Sequence, residues 1–423
     1  MSGALWHPFA PMGEVGAKTF VIDRAEGIWV WDEAGKRYLD GSASLWYANI
    51  GHGREEVAEA VAAQLRRLDA FSIFGDYANR PAMDLADRLA ALAPWEGGRV
   101  FLGSGGGDMI ETAAKLSRAH FARLGEVERV HLIARRSAYH GTHGYGTSIG
   151  GIEANVDGWG PSHSDVSLVS NASAEALETE ILRLGPERVA AFFCEPVIGA
   201  GGLILPPPGY IEGVAEICSR YGVLFVADCI VCGFGRLGTW LGIDRWPVEP
   251  DMITLAKGIS AGYQPLGALL VSPRVADPYF EPDPSAPVFR HGTTYAGHPA
   301  CCASALAVLD IYERERLIPR GAQLEGSLAR ALDPLRHHPL VAEVRAGLGL
   351  LAGIDLAPDL LEAVPDAPLR WRDGCREAGL LVRPLGSGIA LSPPLTVDVD
   401  DLDFLGAAAA EGLESLSRAG EPR

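Results

Sequence analysis

The stretch LFVADCIVCGFGRLGTWLGIDRWPVEPDMITLAKGIS, residues 224–260, holds two short apolar runs, Leu224 to Ala227 and Met252 to Leu255. Runs of this length, bounded by Gly and Pro, read as strands buried on both faces, the kind found in parallel sheets covered by helices. Each run delivers an ionisable residue at its far end, Asp228 directly after the first and Lys257 two residues after the second. The C-terminal edge of such a sheet is where ligands gather.

Working outward, further strands are predicted at Val100 to Leu102, Val130 to Ala134, Ala190 to Cys194 and Ala268 to Val271. Helices are predicted between them, at Asp108 to Arg123, Ala174 to Leu184, Tyr210 to Tyr221 and Pro299 to Arg316, where apolar residues recur at intervals of three and four. The alternation predicts an α/β large domain over residues 51–310, a doubly wound, mostly parallel sheet. GIWVWDEAGKRYLDG, residues 27–41, predicts two strands around an Asp-Glu-Ala-Gly turn in another layer. Residues 1–50 and 311–423 are expected to share a small α+β domain.

The 423 residues carry a net charge of −18, which argues against nucleic-acid or anionic-membrane surfaces, since phosphate binding needs clustered Lys and Arg. No basic stretch with an apolar run opens the chain, and no segment is apolar enough to span a bilayer, so a cytoplasmic protein is expected. The odd set of seven cysteines, Cys194, Cys218, Cys229, Cys232, Cys301, Cys302 and Cys375, suits a reducing compartment. Cys229 and Cys232 form a lone C-x-x-C with no second pair. Buried small side chains are favoured there over zinc or redox work, and no metal is expected.

Of the 36 Lys and Arg residues only four are lysines, which leaves 32 arginines. Lys18, Lys36 and Lys115 fall in solvated contexts, whereas Lys257 sits at a strand end. A partly desolvated lysine has a lowered pKa and acts as a Schiff-base nucleophile; alone, a capped loop lysine is the alternative. Asp228 ends a buried strand, where a carboxylate is costly without a positive partner. A protonated pyridine nitrogen is such a partner, and capping of a following turn is the alternative. FLGSGGGDMIETAAKL, residues 101–116, runs from strand to helix, and bare amides at a helix start bind phosphate. The rival dinucleotide fingerprint lacks the G-x-G-x-x-G spacing.

These segments, with YHGTHG from Tyr139, FFCEPVIGAGGLILPPPGYIEGV, PDMITLAKGISAGYQPLGALLVS and HGTTYAGHP, resemble class III aminotransferases over nearly the whole chain, the ω-amino acid and amine:pyruvate branch above all. The resemblance implies the pyridoxal-5′-phosphate (PLP) dependent transferase fold type I and a homodimer with shared active sites. It implies Lys257 as the Schiff-base lysine and proton shuttle, Asp228 at the pyridine nitrogen, and Tyr139 and Ile230 on the two ring faces. His140 joins the cofactor set. Gly106 and Gly107 correspond to the phosphate-binding pair, and Thr294 to a threonine reaching the neighbouring subunit's phosphate. Trp46, Phe74, Ala200 and Arg383 are the implied substrate residues, with Arg383 receiving a carboxylate. Read singly, Trp46 and Tyr139 are equally core aromatics and Arg383 a surface ion pair.

Gly107 stands where the family has serine, and Cys229 where Asp-Glu-Val has its Glu. Ala200 replaces a gating glutamate of 2-oxoglutarate users, which implies an amine or ω-amino acid donor, a keto-acid acceptor, pyruvate first, and a ping-pong mechanism. WHPFAPM also resembles diaminopelargonate synthases of biotin synthesis, the nearest rival. A nucleotide-binding oxidoreductase and a silent PLP-fold binding protein are the alternatives from other classes. Asp76, in FSIFGDYANR, takes the place of an arginine seen in some relatives, either as a turn cap after Gly75 or as a charge favouring cationic donors.

Overall fold

The computed structural model describes residues 4–15, 19–158, 162–282 and 288–419. Lys18 lies outside them. A seven-stranded sheet has the spatial order Arg99–Gly103, Gly267–Val271, Met252–Leu255, Leu224–Asp228, Val189–Cys194, His131–Arg135 and Val166–Val169. Gly267–Val271 is antiparallel to both its neighbours, and the other pairings are parallel. Val189–Cys194 and Leu224–Asp228 are buried along their whole length, because helices cover both faces.

The register sets Cys194 against Ala227 and Asp228 against Thr254. The loops after Arg135, Cys194, Asp228 and Leu255 therefore leave the sheet at one edge. Two expected helices differ at their ends. Gly106–Arg123 starts two residues before Asp108, since the glycines supply its first turn, and Pro299–Arg314 ends two residues before Arg316, whose φ is +53°.

Two smaller sheets flank this one. Ile22–Glu26, Trp29–Asp32 and Arg37–Asp40 form an antiparallel meander that Leu380–Leu381 joins in parallel beside Leu39 and Asp40. The hairpin over 27–41 is thus one turn of a larger sheet. Val341–Arg345, Ala352–Leu356, Gly388–Leu391 and Arg383–Leu385 make the other. Arg236, fully buried, ties these parts together by donating to the carbonyls of Leu350 (2.8 Å) and Pro393 (2.6 Å) and to Asn49 Oδ1 (2.7 Å). Among the described residues no helix is long and apolar enough to cross a membrane.

Candidate active site

The sheet edge opens into a cavity of about 450 Å³, whose wall includes Gly105, Gly106, Gly107, Tyr139, His140, Glu195, Asp228, Ile230 and Lys257. Asp228 is 3 % exposed, so its charge must be met inside the protein. Its Oδ2 lies 2.8 Å from His140 Nδ1, and its Oδ1 accepts from Thr254 Oγ1 and the Ile230 amide, each at 3.2 Å. These contacts fix the carboxylate at the cavity floor.

Lys257 follows the Met252–Leu255 strand in a left-handed conformation, φ +45°, which turns its side chain out of the strand line. Its Nζ lies 5.9 Å from the centre of the Trp46 ring. Burial pushes the ammonium pKa down, and the Asp228 and Glu195 carboxylates oppose that shift. The partly desolvated amine is suited to nucleophilic attack on a carbonyl.

The helix Gly106–Arg123 begins at the cavity without any side-chain cap, leaving its first amides for a ligand. A Cβ on Gly106 would lie 2.5 Å from Ile230 Cδ1 and 3.2 Å from its Cγ1, so any side chain there would make Ile230 shift. Asp108, which follows, accepts from the Ser104 amide at 2.8 Å and braces the turn. A phosphate on these amides, an aromatic ring between Tyr139 and Ile230, a ring nitrogen on Asp228 and an aldehyde at Lys257 together fit PLP.

Beside the cavity, Trp46 is buried with its Nε1 unpartnered. Arg383, at the start of the Arg383–Leu385 strand, sets its guanidinium 5.0 Å from the same indole ring. Burial lowers the Arg383 pKa, with Tyr139 opposing, and Arg383 makes no ion pair among the described residues. Ala200 packs, with Val231, against the apolar cluster that contains Trp46.

Phe74 and Thr294 are elsewhere. Phe74 is 51 % exposed and, with Tyr77, Phe101, Phe289 and His291, lines a separate groove; Thr294 is exposed. Asp76 is exposed in a turn after Gly75. Cys229 and Cys232 are both fully buried, and burial raises their thiol pKa values, so neither is poised to react.

One site residue escaped the sequence reading. Glu195, 3 % exposed, sends Oε1 to the Tyr139 amide and Oε2 to the Gly199 amide, both at 2.9 Å. Burial raises its pKa, and His140 opposes that. The available signal was its place immediately after the apolar run VAAFFC, the same context that marked Asp228.

The family model for class III aminotransferases matches residues 12–414. The chain is 34 % identical to a putrescine–pyruvate aminotransferase of Pseudomonas aeruginosa, over 97 % of this chain and 93 % of that protein. It is 35 % identical to a chloroplastic γ-aminobutyrate transaminase of Solanum lycopersicum, over 91 % and 78 %. Among solved structures, a PLP-bound amine transaminase from an uncultivated Pseudomonas species superposes with a TM-score of 0.93 at 39 % identity, covering 97 % of this chain and 98 % of that one. An (S)-enantioselective ω-transaminase from Thermomicrobium roseum gives 0.92 at 37 %, covering 97 % and 96 %. The chain belongs to the class III aminotransferases, the PLP-dependent enzymes of fold type I.

Proposed function

We propose that this enzyme moves an amino group from an amine or ω-amino acid donor to a keto acid, with pyruvate the preferred acceptor, in two alternating half-reactions. When bound, PLP carries the amino group between the half-reactions and supplies the electron sink. Lys257 Nζ holds the cofactor and moves the proton at the substrate carbon that bears the nitrogen. Asp228, held by His140 and Thr254, would keep the proton on the pyridine nitrogen. Tyr139 and Ile230 would bracket the ring, and the amides of Gly106 and Gly107 would take the phosphate.

The observation that carries the acceptor reading is the half-buried Arg383 guanidinium, without an ion pair among the described residues, beside an alanine at position 200. A buried cation of this kind is stabilised by a carboxylate that enters with the substrate. With no acid at position 200, no side chain there competes for it. Pyruvate is the smallest 2-keto acid whose carbonyl is a ketone and that meets this need.

We further read the chain as a homodimer. Phe71, Phe74, Tyr77 and Tyr295 are exposed around the groove, the kind of apolar surface a second subunit covers. Thr294 would then reach the neighbouring phosphate and Phe74 the neighbouring pocket. Residues 51–310 would act as the cofactor-binding unit, with 1–50 and 311–423 completing the substrate side.

The test is a panel of donors, including a diamine, a matched monoamine and an ω-amino acid, with pyruvate or 2-oxoglutarate as acceptor. Faster turnover with pyruvate and parallel double-reciprocal lines support the reading; preference for 2-oxoglutarate overturns the acceptor. Arg383→Gln should raise the KM for pyruvate far more than that for an amine lacking a carboxylate. An Asp76→Asn variant that keeps any diamine preference returns Asp76 to a turn residue.

A further inference from the structure

Two loops leave the sheet edge side by side. One follows His131–Arg135 and carries Tyr139 and His140; the other follows Val189–Cys194 and carries Gly199 and Ala200. Their contact is tight. A Cβ on Gly201 would overlap the Ser137 carbonyl oxygen, and Ser137 itself holds φ +65°. Glu195 stands between them, with one carboxylate oxygen on an amide of each loop. Its own carbonyl accepts from the guanidinium of Arg135, a residue 1 % exposed.

We propose that Glu195 is a positioning residue that locks the ring-stacking loop to the acceptor-side loop, so that the tilt of the cofactor ring and the shape of the keto-acid pocket are set together. This rests on the reading of Tyr139 and Ala200 given above. Both carboxylate oxygens are already committed to backbone N–H groups, which separates Glu195 from Asp228, whose Oδ2 meets an imidazole. Only an ionised carboxylate accepts at both oxygens; an amide accepts at one and turns an NH₂ toward the other donor. The charge has a further effect, since it helps hold the Lys257 ammonium against burial.

The test compares Glu195→Gln, Glu195→Asp and Tyr139→Ala as cofactor-saturated enzymes. Visible circular dichroism of the bound cofactor reports ring orientation, and steady-state kinetics give KM and kcat for the acceptor. Glu195→Gln should change the dichroic band per bound cofactor and raise the acceptor KM roughly ten- to a hundredfold, the scale of losing a hydrogen bond to a charged group. Glu195→Asp, which keeps the charge, should fall between Glu195→Gln and wild type, and serves alone if the amide variant does not fold. A Glu195 variant that only melts earlier, with band and acceptor KM unchanged, overturns the proposal. If Tyr139→Ala also leaves the band unchanged, the ring-facing role of Tyr139 fails instead.

Discussion

Replacing Gly106 by alanine tests the phosphate cradle with one methyl group. The added carbon would sit 2.5 Å from Ile230 Cδ1, 3.2 Å from Cγ1 and 3.3 Å from Cγ2. Gly106 is the first residue of its helix, where alanine ordinarily stabilises by up to about 1 kcal/mol, so any loss must come from the contact. Turning Cδ1 aside relieves the shortest approach, but the Cγ1 and Cγ2 approaches still require Ile230 to give way, and a shift toward the cavity would crowd the ring. Overpacking of this kind costs about 1–3 kcal/mol. Expressed as cofactor affinity, that is about 5- to 150-fold weaker binding. The assay is PLP affinity by equilibrium dialysis, with melting of the cofactor-free protein as control. Ile230→Val removes Cδ1, leaving the 3.2 Å and 3.3 Å approaches, so Gly106→Ala/Ile230→Val should recover most of the loss. Gly106→Ala that binds PLP like wild type, or a double variant no better than the single one, refutes the cradle.

Asp228→Asn should still admit PLP but lose most of its activity, because an amide cannot hold the pyridinium proton; near-normal turnover of a cofactor-saturated variant contradicts this. Arg236→Met leaves the Leu350 and Pro393 carbonyls and Asn49 Oδ1 without their donor. It should therefore cost at least about 3 kcal/mol in denaturant unfolding, and a loss under about 1 kcal/mol would show those acceptors are otherwise satisfied. Burial holds His120, 4 % exposed, at a pKa of about 4 rather than 6.5. Its folded pKa being depressed, the unfolded chain binds the extra proton first. His120 thus favours folding fully above pH 6.5, and that contribution is lost as pH falls toward 4. His120→Phe should flatten the stability–pH curve in that window by on the order of 3 kcal/mol, and parallel curves for the two proteins would contradict the assignment.

The sheet was legible because its strands are apolar on both faces. Val166–Val169 was missed because it is a four-residue edge strand, half-exposed for most of its length, without the continuous apolar run of its neighbours. Ile22–Glu26 is largely exposed and gave no alternation to read. Strand-end context marked Asp228 and Lys257, but taken singly each equally suited a capped turn or loop; the structure brings both to one cavity. Trp46 could not be placed that way. It lies in a tight turn where Ala43, Ser44 and Trp46 all hold positive φ without a glycine among them, a conformation braced by the Ser42 and Ser44 amides, which donate to the buried Asp40 carboxylate. Glu195 shares that strand-end context, but its partners are backbone amides four residues ahead and fifty-six behind, which leave no mark in the sequence, so what it does there was not legible. Thr294 and Phe74 stand exposed outside the cavity, and the roles proposed for them depend on a second subunit.

The central claim is that Lys257 is the residue that holds the cofactor. The most direct measurement is borohydride reduction of the purified holoenzyme, followed by proteolysis and mass mapping of the lysine-containing peptides. A pyridoxyl adduct is expected on the peptide carrying Lys257 and on no other, with its complete loss, together with turnover, in Lys257→Ala. An adduct on Lys18, Lys36 or Lys115, or a Lys257→Ala enzyme that still turns over at the wild-type rate, would contradict it.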